Sequence, residues 1–258
     1  MSMSEIRQDK TTGQWVIFAT HRGERPHQFR QETEEEDKVP QQDPKCPFCA
    51  GNESMLPHII LEMPDKTGIG WQTRVVPNKF PALTPEGDTT RTSDGIYLGM
   101  PGYGRHEVII ESPYHNSQIA TMDVDGVCTI IETYHRRFTE LMETHENMMI
   151  IMFRNHGAHA GASLIHPHSQ IIVTGMVPNY IRWREQEAQR YFDLWGRCVY
   201  CDIMEFEMQD RRRVVFENPS FLAVVPYAAE VPFEVWILPK QHQASFGQIS
   251  DREKLDLA

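Results

Sequence analysis

The sequence predicts an α+β protein built as two similar halves, and three observations carry that expectation. Short β-branched runs recur along the whole chain, as strands require. Among them, residues 123–144 place Val127, Ile130, Ile131, Tyr134, Phe138 and Leu141 at helical spacing. Finally, one order of motifs occurs twice. Cys46-Pro-Phe-Cys49 is followed by Glu107-Val-Ile-Ile, with His115 eight residues after the Glu; Cys198-Val-Tyr-Cys201 is followed by Glu234-Val-Trp-Ile, with His242 at the same distance. Duplication of one unit accounts for the shared order and spacing.

Taken in order, residues 14–20 read as a strand, and 31–44, charged and Gln-rich, as a surface loop. Residues 71–83 and 104–111 suit strands, and 123–144 an amphipathic helix. Strands at 148–153 and 170–174 bracket a Gly/Ala/His-rich loop, and 180–194 reads as a charged helix. Residues 214–225 and 233–238 return to strand. The last stretch, from Ser250, carries Asp251 and Glu253 as N-terminal charges of a helix that is expected not to run its course. The span from His115 to His166, measured again from His242, passes the last residue, so the second half is expected to be incomplete. The expected division is 1–190, with the first C-x-x-C pair and the His-rich loop, and 191–258, the incomplete half.

A chain of 258 residues accommodates one large or two small cores. No apolar run approaches the ~20 residues a bilayer demands, and the polar N-terminus has no signal-peptide core, so the expected address is cytoplasmic, without a membrane. A net charge of −11 argues against a broad nucleic-acid face but leaves room for a small phosphorylated ligand held by a few local donors. Four of the five cysteines form the two C-x-x-C pairs, which in a reducing compartment point to metal or redox chemistry. Cys128, alone on the helical stretch, reads as a small buried hydrophobe.

Cys46 and Cys49 offer two thiolates on one turn, and a structural zinc needs two further ligands. His115, just past a strand end, and His166, opening His166-Pro-His168-Ser-Gln170, can supply them. The proline-bent loop would then split the directions of His166 and His168. A redox pair or a partial metal site is the alternative for the cysteines. A thioredoxin-type site is disfavoured because it needs one pair opening a helix, whereas both pairs here read as followed by polar loop. His168 suits attack on phosphorus if a backbone carbonyl, that of His166 for instance, holds its other nitrogen. The Gly/Ala-rich run before it lets backbone N–H groups approach phosphate oxygens, with Ser163 and Gln170 as neutral donors. A His-rich metal loop without catalysis is the plainer reading of the same residues.

At H-P-H-S-Q the chain resembles the histidine-triad superfamily, and within it the galactose-1-phosphate uridylyltransferase family. Similar elements run in order through 15–26, 46–52, 74–83, 106–115, 153–163, 166–170 and 232–242, almost the whole chain. The resemblance implies two halves, each an antiparallel sheet with helices, forming one continuous sheet. It implies a ping-pong transfer of UMP from UDP-glucose to galactose 1-phosphate through a uridylyl-histidine at His168, and a homodimer. Gln170 would orient the α-phosphoryl group and Ser163 would contact phosphate; Asn78, Asn155, Arg22 and Arg25 would lie at the nucleotide. Cys46, Cys49, His115 and His166 would hold zinc, and Cys198, Cys201 and His242 resemble a second zinc site of some relatives. Two departures bear on the base. Ser169 stands where uridylyltransferases usually carry glycine, as in adenylyl-transferring relatives such as ADP-glucose phosphorylase, and Lys79 stands where an acidic ribose-binding residue is common. The sugar-binding tail that the resemblance implies near the C-terminus is expected to be absent, in keeping with an incomplete second half. A histidine-triad nucleotide hydrolase is a weaker alternative, because Gln170 replaces the third histidine and glutamine is no general acid. A zinc-stabilised binding protein is weaker still, given the His and Asn density of 155–170.

Overall fold

The computed structural model describes residues 5–18, 39–144 and 148–258. Its strands are β1 Glu5–Gln8, β2 Trp15–Phe18, β3 Leu61–Pro64, β4 Trp71–Pro77, β5 Thr92–Asp94, β6 Tyr97–Gly99, β7 Gly104–Ile110, β8 Met149–Phe153, β9 His168–Thr174, β10 Val214–Glu217, β11 Phe221–Val224 and β12 Trp236–Pro239. Its helices are α1 Val124–Thr144, α2 Asn179–Trp195, α3 Val199–Asp210 and α4 Asp251–Leu257. The chain divides into two compact units, one spanning 35–176 and the other joining the N-terminal segment to 177–257. None of the described helices is long and apolar enough to cross a membrane.

The 35–176 unit is built on an antiparallel sheet in the order β3-β4-β7-β9-β8. Its central strands are apolar on both sides because both faces are covered. Val75, Ile109, Ile171 and Val173 face α1, where they pack with Leu61 and Leu141. Val76, Val108 and Ile110 face the other way, with Trp71, against Phe48, Ala50 and Leu56 of the cysteine-bearing segment. Side chains alternate between faces, so the β7–β9 register decides what each residue meets: His168 pairs with Ile110, Ser169 with Ile109 and Gln170 with Val108. Gly104 opens β7 at a close approach of strands, where a Cβ would lie 2.1 Å from the Val173 carbonyl oxygen.

The second unit holds the β1–β2 hairpin, α2, α3, α4 and the antiparallel sheet β10-β11-β12, whose core is Met204, Leu222 and Val224. Gly196, at φ 65°, ends α2 in the left-handed conformation glycine adopts freely.

The expected helices and most expected strands are found with shifted ends. Residues 214–225 are two strands rather than one run, because the Asn218 side chain accepts from the Ser220 and Phe221 amides and turns the chain. The final helix does run: Ser250 and Glu253 form a reciprocal capping box that starts α4. Helix α3 was not foreseen. The hydrogen bonding of one continuous sheet is not found among the described strands, which fall into four sheets. The repeat is looser in structure than in sequence. Glu107 is buried and paired with Arg137 of α1 through two contacts of 2.7 Å, whereas Glu234 precedes β12 and accepts from the Trp236 indole at 2.8 Å. Cys128 is half-buried, on the flank of α1. Of the expected 31–44 loop, 31–38 lie outside the described residues and the rest is irregular.

Candidate functional site

The tight turn of Cys46-Pro-Phe-Cys49 is closed by the Cys49 amide on the Cys46 carbonyl at 3.3 Å, and Asn52 caps it by donating to the Cys46 carbonyl at 2.7 Å. The turn brings Cys46 and Cys49 to His115, just beyond β7, and His166, just before β9; all four are buried, with ligand atoms within 4.8 Å of one another. The Cys49 Sγ lies 3.5 Å from His115 Nδ1 and 3.6 Å from His166 Nδ1, the separations of neighbouring vertices around a tetrahedral ion. His166 Nε2 donates to the Ser112 carbonyl at 2.8 Å, which leaves Nδ1 as the free ligand atom. Burial holds the His166 imidazolium pKa down at about 4, so the ring is neutral, and pushes the Cys46 thiol up to about 11. Thiols that resist ionisation so strongly need a cation beside them to become thiolates. The donor set, its spacing and its fixed tautomer therefore fit a tetrahedral metal.

His166 and His168 diverge as the proline bend requires. His168 begins β9 on the same sheet face as Ile110, beside Phe48 at a ring separation of 5.5 Å, and retains 9 % of its surface. Its Nδ1 donates to the His166 carbonyl at 2.8 Å. That bond fixes the Nδ1–H tautomer of the neutral ring, in which Nε2 carries the lone pair.

Gln170 shares the His168 face two residues along β9. Its Oε1 lies 2.8 Å from Nε2 of His106 on β7, and Asn78, just beyond β4, places its Nδ2 3.1 Å from the same nitrogen. His106 stood out by no sequence signal, since Arg105 and Glu107 flank it in the same strand; only the register sets it on the face of Val108 and Ile110, diagonal to Gln170. Ser169, between His168 and Gln170, points to the other face. There it and Tyr134 of α1 donate to the buried Glu111 carboxylate, which also takes Arg154 Nε at 2.9 Å. The departure from glycine at this position thus meets helix α1, not the face that carries His168.

Asn155 follows β8, whose Phe153 pairs with Gln170, and leads into the 154–165 loop, where Gly157 and Gly161 take φ of 78° and 83°. Ser163 is exposed, and among the described residues no hydrogen bond joins it to His168 or Gln170. Lys79 is exposed beside Asn78. Arg22 and Arg25 lie outside the described residues.

In the second unit Cys198, Cys201 and His242 also converge, with Cys201 Sγ 3.1 Å from His242 Nδ1. They make three of a possible four ligands among the described residues. The expectation that both cysteine pairs precede loop is corrected here, since Cys198 is the N-cap of α3. Burial nevertheless raises the Cys201 thiol, the opposite of a reactive thiolate.

The sequence profile described as galactose-1-phosphate uridyl transferase, N-terminal domain, matches residues 1–178, and that of the C-terminal domain matches 184–258. The chain belongs to the galactose-1-phosphate uridyl transferase family. It is 35 % identical to the ADP-glucose phosphorylase of Arabidopsis thaliana, over 98 % of this chain and 70 % of that one. It is 30 % identical to a galactose-1-phosphate uridylyltransferase of Haemophilus influenzae, over 95 % and 68 %. Among solved structures it resembles the Arabidopsis ADP-glucose phosphorylase with bound ADP-glucose (TM-score 0.82, 33 % identity, 99 % of this chain and 74 % of that one). It also resembles a uridylyltransferase (TM-score 0.70, 28 % identity, 99 % and 72 %). The uridyl transferase family thus supplies the coarse activity, that of a nucleotidyltransferase enzyme.

Proposed function

We propose that the chain moves a nucleoside monophosphate between a nucleotide sugar and a phosphorylated acceptor through a covalent bond to His168. The observation that carries this reading is the His168 Nδ1 bond to the His166 carbonyl, which leaves Nε2 free as a nucleophile. Nε2 attacks the α-phosphorus, the bond to the leaving sugar 1-phosphate breaks, and that group departs as a phosphate needing no proton. The acceptor phosphate then displaces the histidine along the reverse path. Gln170, Ser163 and the Asn155 loop offer neutral donors to the phosphoryl oxygens, and Asn78, Arg22 and Arg25 belong to the nucleotide. Cys46, Cys49, His115 and His166 would hold a zinc ion, which ties the start of β9 to the cysteine turn and so supplies rigidity.

UDP-glucose with galactose 1-phosphate as acceptor is the first substrate reading, within galactose metabolism. A second, adenylyl transfer from ADP-glucose, is favoured by the higher identity and TM-score to the Arabidopsis enzyme. A cytoplasmic homodimer and a second zinc at Cys198, Cys201 and His242 complete the proposal. The test is incubation with labelled UDP-glucose and ADP-glucose. An acid-labile, base-stable label on the protein is expected, absent in His168→Ala at unchanged metal content. Exchange retained by that variant would remove the mechanism, and the labelled nucleotide decides the base.

A further inference from the structure

We infer that His106 is a positioning residue that sets which end of the Gln170 carboxamide meets the substrate; this rests on the reading of Gln170 given above. The β7–β9 register pairs Val108 with Gln170 and His106 with Ile172, so His106 and Gln170 are diagonal neighbours on one face. The imidazole is held by the chain that leaves β4. The Ala82 backbone N–H donates to His106 Nδ1 at 3.0 Å, and the Asn78 N–H donates to the His106 carbonyl at 2.9 Å. A backbone N–H can only donate, so Nδ1 is the acceptor nitrogen and the ring proton sits on Nε2. Nε2–H then donates to Gln170 Oε1 across 2.8 Å.

An amide has one acceptor end and one donor end. With Oε1 engaged by His106, the Gln170 NH2 is directed away from the ring, and it has no hydrogen-bond partner among the described residues. The opposite flip would set two donors against each other. A backbone amide on one loop thereby fixes a tautomer, the tautomer fixes a carboxamide, and the carboxamide offers N–H to a phosphoryl oxygen. Asn78, whose Oδ1 accepts from the Phe80 N–H at 2.9 Å, brings its Nδ2 to 3.1 Å from the same ring nitrogen; both are donors, so this contact is proximity and not a hydrogen bond, and Gln170 Oε1 is the acceptor that Nε2–H meets.

The test measures the rate of His168 nucleotidylation in a single turnover with UDP-glucose and ADP-glucose, alongside melting temperature and metal content. His106→Ala is expected to slow the step about tenfold, since Gln170 is loosened rather than lost. The His106→Ala, Gln170→Ala double variant is expected to be no slower than Gln170→Ala alone. His106→Gln, whose NH2 reaches the place of Nε2, should recover part of the rate; His106→Asn, reaching only the place of Nδ1, should not. Multiplying effects in the double variant, or a normal rate in His106→Ala, would overturn the role. If His106→Ala does not fold, the contrast between the Gln and Asn variants decides it, equal rates counting against. No label on the wild-type chain with either donor would instead remove the transfer reading itself, and this inference with it.

Discussion

Glu111 has a side chain with no exposed surface, and its carboxylate accepts from Tyr134, Ser169 and Arg154. Its backbone N–H meanwhile donates to the Pro167 carbonyl at 3.1 Å, inside the H-P-H segment. Removing one member of such a pair strands a charge, so Glu111→Ala should lower unfolding free energy by about 3 kcal/mol, read from the denaturant midpoint. Ser169→Gly removes a donor from this network without touching the His168 face. It is expected to reduce stability and leave the ratio of kcat/KM for the two nucleotide sugars unchanged; a switch in that ratio would contradict the orientation described for Ser169. The grouping of Cys46, Cys49, His115 and His166 was legible from residue type, and the bond from His168 to the His166 carbonyl from their two-residue offset across a proline. The direction of Ser169 and the part played by His106 were not. Both depend on strand register, and a slip of one residue would exchange the two faces.

At the scale of elements, β7 leads toward His115 and β9 follows His166, and the two strands carry His106, His168 and Gln170 along their length. Their pairing depends on Gly104, where any Cβ would collide with the Val173 backbone oxygen. Gly104→Ala is expected to cost about 1–3 kcal/mol in chemical denaturation through forced backbone shifts. It should also slow transfer, because the distortion runs along the strand that positions Gln170. These strands were legible as apolar runs since both faces are buried. The short strands β3, β5 and β6 lacked such a signature, and β5 and β6 are exposed throughout. Helix α3 was hidden for another reason: both C-x-x-C pairs read as followed by polar loop, whereas Cys198 caps a helix and Cys46 opens a turn.

The two units have separate cores among the described residues, so removal of a metal held by Cys46, Cys49, His115 and His166 should not be felt equally everywhere. The ligands lie in the 35–176 unit, at the starts and ends of the elements that frame His168. Chelation is therefore expected to raise amide hydrogen exchange in β7 and β9 and leave β11 protected. Uniform deprotection would show that the units unfold together. The metal-stripped chain should also acquire a pH dependence with a definite sign. The His166 pKa is lowered from 6.5 to about 4 in the fold by burial, so below its ordinary value the unfolded chain takes up a proton that the folded chain refuses. Stability contributed by the neutral ring is complete above pH 6.5 and declines as the pH falls toward about 4. Denaturant midpoints of the chelated protein should drop across that window, and His166→Asn should flatten the drop. A midpoint that held steady there would mean that the His166 ring leaves its bond to Ser112 and reaches solvent once the metal is gone.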